Sequence, residues 1–586
     1  METYNRKKIR LGDLLINQGV ITSEQLMQAI EKQKETKERL GVVLTVMGFA
    51  TEMEIAKALQ RQFGYQMVQL SNMRIGEDVL SLVKDAALLK KYVMIPFEFL
   101  PGNAGIYVAM EDPMNLMAVD DLSIVTNMRI KPVIATTSDI LTAIDKYYGN
   151  QEVKAVAEAY SKEREKLYKT EKNDNRDEDV SNAPIVMLIK TMVEQAVRQR
   201  ASDIHIEPLE DKIRVRNRVD GTLIEVGNYS INMLQAMIAR VKIIGGMDIA
   251  EKRKPQDGRI TQIVDRIEYD IRVSTLPTIY GEKVVMRIAS KNMLTKKKEH
   301  LGLSEEDMKK LDRILENPYG MLLVTGPTGS GKSTTLYTLL SELNKVDVNI
   351  VTVEDPVEAN IDGINQIQVN AKADLTFVSA LRSILRQDPD IIMIGEIRDI
   401  ETASIAATAS ITGHLVVSTL HTNNAAGTIM RLIDMGIEPY LIADSTIGVI
   451  AQRLVKRLCT CKKERFASDV EKKFLGIESQ EPVKIYEAAG CNKCNDTGYL
   501  GRIGVYEIMP VTNIIHDVIA RNCSAREIQR AALSEGMSTL KMSAAKLVLQ
   551  GITTLEEMKK VSYSDETSEL KEDKELERHD SAIYDK

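Results

Sequence analysis

The stretch Gly326-Pro327-Thr328-Gly329-Ser330-Gly331-Lys332-Ser333 decides the fold of the largest part of this chain, because it fits the phosphate-loop pattern G-x-x-x-x-G-K-[ST]. The apolar run before it, residues 321–324, is typical of a buried strand, and the segment from Thr334 onward is typical of a helix. In such a strand-loop-helix unit, the backbone N–H groups converge on phosphate oxygens. Lys332 can reach the β and γ oxygens, and the hydroxyl of Ser333 can bind Mg²⁺. The predicted nucleotide-binding residues are Gly326, Pro327, Thr328, Gly329, Ser330, Gly331, Lys332, Ser333 and Thr334.

Composition limits the classes of protein to consider. A chain of 586 residues is expected to form about three or four domains. The net charge of −7 gives no reason to expect a nucleic acid as partner, which weakens a helicase interpretation. No apolar stretch near the start indicates a signal peptide, and the uncharged segment 402–430 is rich in Ser, Thr, Asn, Gly and Ala. We therefore expect a cytoplasmic protein with no transmembrane segment of its own, which associates with a membrane only through a partner.

The N-terminal region contains an internal repeat. A block that opens with Arg10-Leu11-Gly12 and ends at Gln33 is matched, 29 residues later, by a block from Arg39-Leu40-Gly41 to Gln62. Eight positions are identical at this one offset, and the spacing of Leu and Ile within each block is helical. The pattern predicts two helix pairs, with Thr22 and Thr51 as N-caps.

The rest of the chain divides by composition into an α/β multidomain protein. In the mixed domain, alternation of Arg with β-branched residues at 212–216 and 269–273 predicts strands that carry arginines on one face. The predicted parts are a helical repeat at 1–62, a small α/β domain at 63–150, a charged linker at 151–180, an arginine-bearing α+β domain at 181–290, a phosphate-loop domain at 300–562 and a disordered tail at 563–586.

Three further motifs follow apolar strands of the phosphate-loop domain. The run 391–394 leads to Gly395-Glu396, where an ordinary Walker B strand would carry an aspartate. Another buried strand leads into Glu354-Asp355-Pro356-Val357-Glu358. A third predicted strand has His414 before its start and His421 at its end. Ligands bind at the carboxyl ends of parallel strands, so we expect these acids and His421 near the phosphates. For His414, a structural role is as plausible as a functional one.

Together these motifs resemble the AAA-like motors of the secretion superfamily, specifically the assembly ATPases of type II secretion systems and bacterial type IV pili. The motifs that carry the resemblance are the Walker A loop, an Asp box at 352–358, the atypical Walker B at 392–399 and a His box at 413–423. The resemblance implies a RecA/AAA-like ATPase domain preceded by a PAS-like α+β domain. It implies Glu358 as general base, with Glu354 a less favoured candidate, Glu396 holding Mg²⁺ through water, and His421 reading the γ-phosphate.

The preceding domain of that family contributes arginines to the bound nucleotide, and the matching positions are Arg272 and Arg287. Guanidinium groups can compensate the negative charge of the γ-phosphoryl oxygens. If these arginines contact the nucleotide only when it is ATP, hydrolysis would be converted into rotation of the domain that carries them. The alternative is a solvated arginine face with no catalytic role.

Four cysteines form two pairs, Cys459-x-Cys461 and Cys491-x-x-Cys494, within a segment at 459–494. Paired thiolates at this spacing indicate a structural zinc site, and a cytosolic chain disfavours disulfides. Members of the resembled family that assemble pili carry such an element, whereas retraction ATPases usually lack it. The first pair is one residue tighter than the usual C-x-x-C spacing. This strains the chelate and leaves open whether the pair binds zinc.

The N-terminal repeat looks like the domain of pilus and secretion ATPases that binds cyclic di-GMP. The planar guanidinium of arginine can stack on guanine, and glycine lets the ligand approach the backbone closely. The amide of glutamine can form hydrogen bonds with the edge of a base. The matching positions are Arg10, Gly12, Asp13, Gln33, Arg39, Gly41 and Gln62. Val42 replaces the acid of the first block, so the two halves cannot bind identically. The alternative is a helical module that only docks on a partner.

The resemblance implies a homohexamer that hydrolyses ATP with Mg²⁺ and rotates an inner-membrane platform protein, adding pilin to a type IV pilus. The nearest alternative is the same motor in type II secretion. An alternative of another class is a regulatory protein that senses nucleotide and cyclic di-GMP without motor output, against which Lys332, Glu358, Glu396 and His421 together argue.

Overall fold

The computed structural model describes residues 10–83, 86–149, 183–265, 267–290, 297–479 and 481–562. The predicted linker at 151–180 and the predicted tail at 563–586 lie outside the described residues. The chain divides into two units, 1–289 and 290–586.

The N-terminal repeat forms four helices, a short one and a longer one from each block. They are α1 (Leu11–Asn17), α2 (Ser23–Thr36), α3 (Leu40–Val46) and α4 (Glu52–Phe63). The hydroxyl oxygens of Thr22 and Thr51 each accept the N–H of the third residue of the following helix. The side-chain oxygen of that third residue accepts the main-chain N–H of the threonine in return. Leu15 and Leu44, which occupy equivalent positions in the two blocks, are fully buried in the shared core.

A small α/β domain follows, with a three-stranded sheet in which β1 and β2 are antiparallel and β2 and β3 parallel. Its elements are α5 (Glu77–Leu80), α6 (Ala86–Tyr92), β1 (Met94–Phe99), β2 (Ile106–Met110), α7 (Leu116–Thr126), β3 (Ile130–Ile134) and α8 (Thr137–Ile144). The carboxylate of Glu52 on α4 accepts the N–H of Ser138 on α8 at 3.0 Å and its hydroxyl at 2.6 Å. This contact ties the helical repeat to the small domain.

The α+β part of the first unit has a six-stranded sheet of order β6-β5-β4-β9-β8-β7. Its elements are α9 (Ala183–Arg198), β4 (Ala201–Pro208), β5 (Lys212–Val219), β6 (Thr222–Ser230), α10 (Leu234–Ile244), β7 (Gln256–Val264), β8 (Ile267–Thr278) and β9 (Gly281–Ser290). Apolar side chains of β4 and β9 pack with both helices in one core. On β5, Arg214 and Arg216 alternate with buried Ile213 and Val215, as the sequence pattern predicts.

The second unit is built on a seven-stranded sheet of order β12-β11-β13-β14-β10-β15-β18. Its first part contains α11 (Glu305–Leu315), β10 (Gly320–Thr325), α12 (Lys332–Leu343), β11 (Ile350–Glu354), β12 (Asn365–Gln368), α13 (Phe377–Ile384), β13 (Ile391–Ile394), α14 (Ile400–Ile411), β14 (Leu415–Leu420) and α15 (Ala425–Asp434). Its second part contains α16 (Pro439–Ser445), β15 (Thr446–Leu458), β16 (Lys463–Phe466), α17 (Asp469–Phe474), β17 (Lys484–Glu487), β18 (Tyr499–Pro510), α18 (Asn513–Ala520), α19 (Ala525–Ser534) and α20 (Leu540–Leu549).

Six neighbouring strands of this sheet are parallel, and only β18 runs antiparallel to its neighbour. Every residue of β10, β11, β13 and β14 is buried, as expected for strands covered on both faces. Their carboxyl ends therefore meet at one edge, where the phosphate loop, the Asp box, the Walker B motif and the His box follow them.

The uncharged segment 402–430 forms α14, β14 and the start of α15, and much of it lies in the core of this unit. Across the residues that the structure describes, we find no helix with the length and hydropathy needed to cross a membrane.

Candidate functional site

The phosphate loop connects β10 to α12. Gly329 and Gly331 have φ of +79° and +93°, a left-handed conformation that favours glycine. Ser330 is 3% exposed, and its hydroxyl has no hydrogen-bond partner among the described residues. A buried donor without a partner is costly, so this hydroxyl fits a loop that closes around an anion.

Lys332 lies folded over its own loop. Its Nζ donates to the carbonyl oxygen of Gly326 at 2.7 Å and to that of Pro327 at 3.2 Å. The pKa of Lys332 is lowered to about 8, chiefly by burial. The positive charge of Arg453 also lowers this pKa, and the negative charge of Glu396 raises it.

The structure brings Glu396 and His421 together with Lys332. Nε2 of His421 lies 3.5 Å from Oε2 of Glu396, and the Glu396 carboxylate interacts electrostatically with Lys332. Arg398 pairs with the same carboxylate, and this hydrogen bond raises the pKa of the Arg398 guanidinium. The Glu396 carboxylate thus interacts with Lys332, Arg398 and His421, which all lie in segments that follow strands of one sheet.

In the Asp box, Glu354 is 3% exposed and both of its oxygens are engaged. One oxygen accepts the hydroxyl of Thr352 at 2.7 Å and the amide of Gln366 at 3.1 Å, and the other accepts the hydroxyl of Tyr337. Glu358 is only partly buried, and its main-chain N–H donates to the same Tyr337 hydroxyl at 3.0 Å. The two acids of one motif therefore have different surroundings.

The two histidines of the His box lie at opposite ends of β14. Nδ1 of His414 is 2.9 Å from the carbonyl oxygen of Ala409 near the end of α14, which is a structural contact. His421 follows the carboxyl end of the strand, beside Glu396. The geometry thus gives His414 a structural contact and places His421 beside an acid of the site.

Three groups of this site are absent from the sequence prediction. Tyr337 joins the Asp box to α12, Thr325 and Thr422 share a hydrogen bond of 2.7 Å between their hydroxyls, and Arg453 contacts the His box from β15. No local pattern marks a tyrosine inside a helix or an arginine inside a strand as part of a site, because their partners are distant in sequence.

The two arginines predicted to reach nucleotide lie on the sheet of the first unit. Arg287 on β9 is 67% exposed, and its Nε donates to Oδ1 of Asp203 at 3.0 Å. Arg272 on β8 stands opposite Arg259 on β7. Their place within the first unit is thus defined, and their role stays a prediction.

The four predicted zinc ligands form one cluster. Their sulfur atoms all lie within 4.8 Å of one another, with separations of 3.8 Å for Cys459–Cys491, 3.9 Å for Cys461–Cys494 and 3.7 Å for Cys491–Cys494. A tetrahedral site with Zn–S bonds of about 2.3 Å requires sulfur separations of about 3.8 Å. The tight Cys459-x-Cys461 pair therefore does not prevent a zinc-like arrangement.

The electrostatics differ among these cysteines, because burial raises the pKa of Cys461 to about 12 and also raises the pKa of Cys494, whereas the thiolate is favoured at Cys459. Burial opposes ionisation of Cys459, but hydrogen bonds from the main-chain N–H of Cys461 and from Cys491 lower its pKa to about 7. The N–H groups of Cys491 and Gly498 donate to Sγ of Cys494 at 3.1 and 3.2 Å. Such N–H donors stabilise metal-bound thiolates.

In the helical repeat, Arg10 and Arg39 occupy the N-cap positions of the two short helices. Arg39 pairs with Asp112 of the small α/β domain at 2.6 Å, and the amide of Gln33 donates to the carbonyl oxygen of Glu38 at 2.9 Å. Asp13 is exposed on the first turn of α1, and Gln62 lies near the end of α4.

The glycines of the repeat serve the packing of the helices. A Cβ atom on Gly12 would lie 2.7 Å from Cδ1 of Leu26, and one on Gly41 would lie 2.9 Å from Cγ2 of Ile55. The expectation that these glycines admit a ligand therefore has a competing explanation, which is close contact between the paired helices.

A parallel sheet with a phosphate loop at its carboxyl edge, and with an acid and a histidine after the adjacent strands, defines the class of RecA-like P-loop ATP hydrolases. The family model described as Type II/IV secretion system protein matches residues 178–560, and the chain belongs to this family. A second model, the MshEN domain, matches residues 63–154, which is the region predicted as the small α/β domain.

Individual relatives agree with this assignment. The type IV pilus assembly ATPase PilB of Myxococcus xanthus is 43% identical over 563 residues, which cover 94% of this chain and 98% of that protein. The type II secretion system protein E of Pseudomonas aeruginosa is 49% identical over 386 residues, covering 66% of this chain and 77% of that protein. The X-ray structure of the Yersinia pseudotuberculosis ATPase DotB matches with a TM-score of 0.50 at 22% identity, covering 65% of this chain and 94% of that one, and supports the fold.

Proposed function

We propose that this chain is the ATPase that powers assembly of a type IV pilus at the cytoplasmic membrane. The observation that carries the proposal is the match to a type IV pilus assembly ATPase along nearly the whole of both chains. In this proposal the protein acts as a homohexamer at the cytoplasmic side of the membrane, bound through an inner-membrane platform protein.

Hydrolysis is assigned to the edge where the four strands end. The loop amides, Ser330 and Lys332 bind the phosphates of ATP, and His421 contacts the γ-phosphate from the His box. The hydroxyl of Ser333 and, through water, the carboxylate of Glu396 hold Mg²⁺, which neutralises charge on the β and γ oxygens when bound. The support for these roles is the proximity of Lys332, Glu396 and His421.

We assign the general base to Glu358 and a structural role to Glu354. Both oxygens of Glu354 already accept hydrogen bonds inside the protein, so this carboxylate is poorly placed to take a proton from water. Glu358 is partly exposed and lies on the loop after the same strand. A general base needs hydrogen-bond reach to the attacking water, which a partly exposed carboxylate retains.

To convert hydrolysis into movement, one domain of the proposed hexamer must move toward bound ATP and contact its phosphates. Arg287 is suited to this role because it is held by Asp203 through Nε while most of its side chain is exposed. Arg272 is the second candidate on the same sheet. Engagement of these arginines by the γ-phosphate, followed by release after hydrolysis, would rotate one domain against another and move the platform protein.

Two accessory sites complete the proposal. The cluster of Cys459, Cys461, Cys491 and Cys494 holds a structural zinc ion, supported by its sulfur separations. The region from the helical repeat through the MshEN match binds cyclic di-GMP, with Arg10, Gly12, Asp13, Gln33, Arg39, Gly41 and Gln62 as its proposed contacts.

Type II secretion is the second candidate, because the Pseudomonas protein E is 49% identical across the family region. A complementation experiment separates the two. In a strain of the source organism from which the gene for this chain is deleted, the parent chain should restore surface pili, and the Glu396→Gln variant should not. If the deletion strain instead has normal pili and a block in protein export, the motor belongs to type II secretion.

A further inference from the structure

The strand β15 lies directly beside the phosphate loop. A Cβ atom on Gly326 would collide with the main-chain oxygen of Gln452 and lie 3.2 Å from Nη1 of Arg453. A Cβ on Gly331 would lie 2.8 Å from Nε2 of Gln452, whose Oε1 also accepts the hydroxyl of Thr335 on α12 at 2.8 Å. Gln452 and Arg453 therefore contact both ends of the loop.

The guanidinium of Arg453 connects this strand to the His box. Arg453 is 8% exposed, and its Nη2 donates to the carbonyl oxygen of Asn423 at 3.0 Å and to Oδ1 of the same residue at 3.2 Å. Its Nη1 donates to the carbonyl oxygen of Gln452 at 3.1 Å. Asn423 is the last residue of the His box, two residues after His421.

We propose that Arg453 is a positioning residue for ATP hydrolysis, whose guanidinium fixes the end of the His box against β15, the strand beside the phosphate loop. The planar fork of arginine suits this task, because one terminal nitrogen bonds the His box while the other bonds the main chain of β15. The spacing between Lys332 and His421 then depends on Arg453. The inference rests on the roles proposed above for these two residues.

A merely structural role would give a different result. Most of the side chain of Arg453 is buried in the middle of a strand, so a substitution that only weakens the sheet would lower Tm together with turnover and ADP affinity. Loss of a positioning contact would instead lower kcat far more than ADP affinity. The comparison of these two losses, measured together with Tm, therefore separates positioning from stabilisation.

The experiment uses the full-length chain with three substitutions. Arg453→Lys keeps the charge but cannot reproduce the fork, and Arg453→Gln removes the charge. Arg457→Gln, at an exposed arginine of the same strand, is the matched control. For each protein, kcat and KM for MgATP, the Kd of ADP at neutral pH, and Tm are measured.

We expect both Arg453 variants to lose about 10- to 100-fold in kcat, with a much smaller change in the Kd of ADP near neutral pH. Arg457→Gln should match the parent in every measurement. Parental kcat in Arg453→Gln, or equal losses of kcat and ADP affinity, would overturn the inference. A parent without ATP turnover would refute the proposed function instead. Hydrogen exchange of the main-chain amides near Asn423 would then still decide the inference, because exchange should be faster in Arg453→Gln than in Arg457→Gln, and equal exchange would refute the inference.

Discussion

The hydroxyl of Tyr337 donates a hydrogen bond to the buried carboxylate of Glu354. The same hydroxyl accepts the main-chain N–H of Glu358 at 3.0 Å. Burial and the neighbouring Glu354 carboxylate raise the pKa of Tyr337, so the hydroxyl keeps its proton at physiological pH. Because Tyr337 belongs to the helix that starts at the phosphate loop, this hydroxyl connects the loop to the segment that carries the proposed base.

Replacing Tyr337 with Phe tests that connection. The substitution removes a donor to Glu354 and an acceptor for Glu358, which should lower the free energy of unfolding by about 1–3 kcal/mol. It should also reduce kcat, because the Asp-box loop loses its anchor. Urea unfolding and steady-state kinetics measure the two effects. Tyr319→Phe, at an exposed tyrosine of the same unit, is the control, and equal behaviour of both variants would refute the connection.

Substituting each acid of the Asp box separately distinguishes the general base from the structural acid. Glu358→Gln should lower kcat by about 10²–10⁴-fold at unchanged Tm, because only proton transfer is removed. Glu354→Gln should lower Tm, because an amide cannot accept every hydrogen bond of the carboxylate. Assays of turnover and thermal unfolding give both values. Loss of turnover at parental Tm in Glu354→Gln, with an active Glu358→Gln, would exchange the two assignments.

The cysteine cluster should contain one zinc ion per chain. Cys494→Ser should release it and lower Tm by at least about 5 °C, since binding of a structural metal contributes directly to folding. Cys523→Ser, at the cysteine outside the cluster, should retain zinc and Tm. Elemental analysis and calorimetry provide the measurements. A parent protein purified without zinc, and insensitive to chelators, would contradict the site.

Cyclic di-GMP binding depends on the arginines of the repeat. Arg39→Ala should weaken binding at least about tenfold, because it removes a guanidinium that can stack on guanine. Arg61→Ala, at an exposed arginine of α4, should bind like the parent. Calorimetry on the full chain compares the three proteins. No heat of binding in the parent would leave the repeat as a docking module.

The order of the motifs along the chain was sufficient to predict much of the site. Strand, loop and helix around Gly326, and apolar strands before Glu396 and His421, are local patterns, and parallel strands bring their carboxyl ends to one edge. The resemblance favoured Glu358 over Glu354 as general base, but the sequence could not show that the donors of Thr352, Gln366 and Tyr337 enclose the Glu354 carboxylate.

Other residues lie beyond sequence patterns for a physical reason. Arg453 meets Asn423 only because β15 packs beside β10, and nothing local distinguishes it from a solvated arginine such as Arg457. Gly12 and Gly41 show the converse: the repeat suggests ligand approach, whereas a Cβ atom at these positions would also crowd the side chains of Leu26 and Ile55. Local patterns predict elements, and nonlocal packing determines what each side chain faces.

The most direct test of the proposed motor is ATP turnover by the full-length parent, by Glu396→Gln, and by the control Glu401→Gln at an exposed acid of the following helix. The parent and Glu401→Gln should hydrolyse MgATP, and Glu396→Gln should bind ATP but turn over at least about 100-fold more slowly. Absence of turnover in the parent, or parental turnover in Glu396→Gln, would contradict the account.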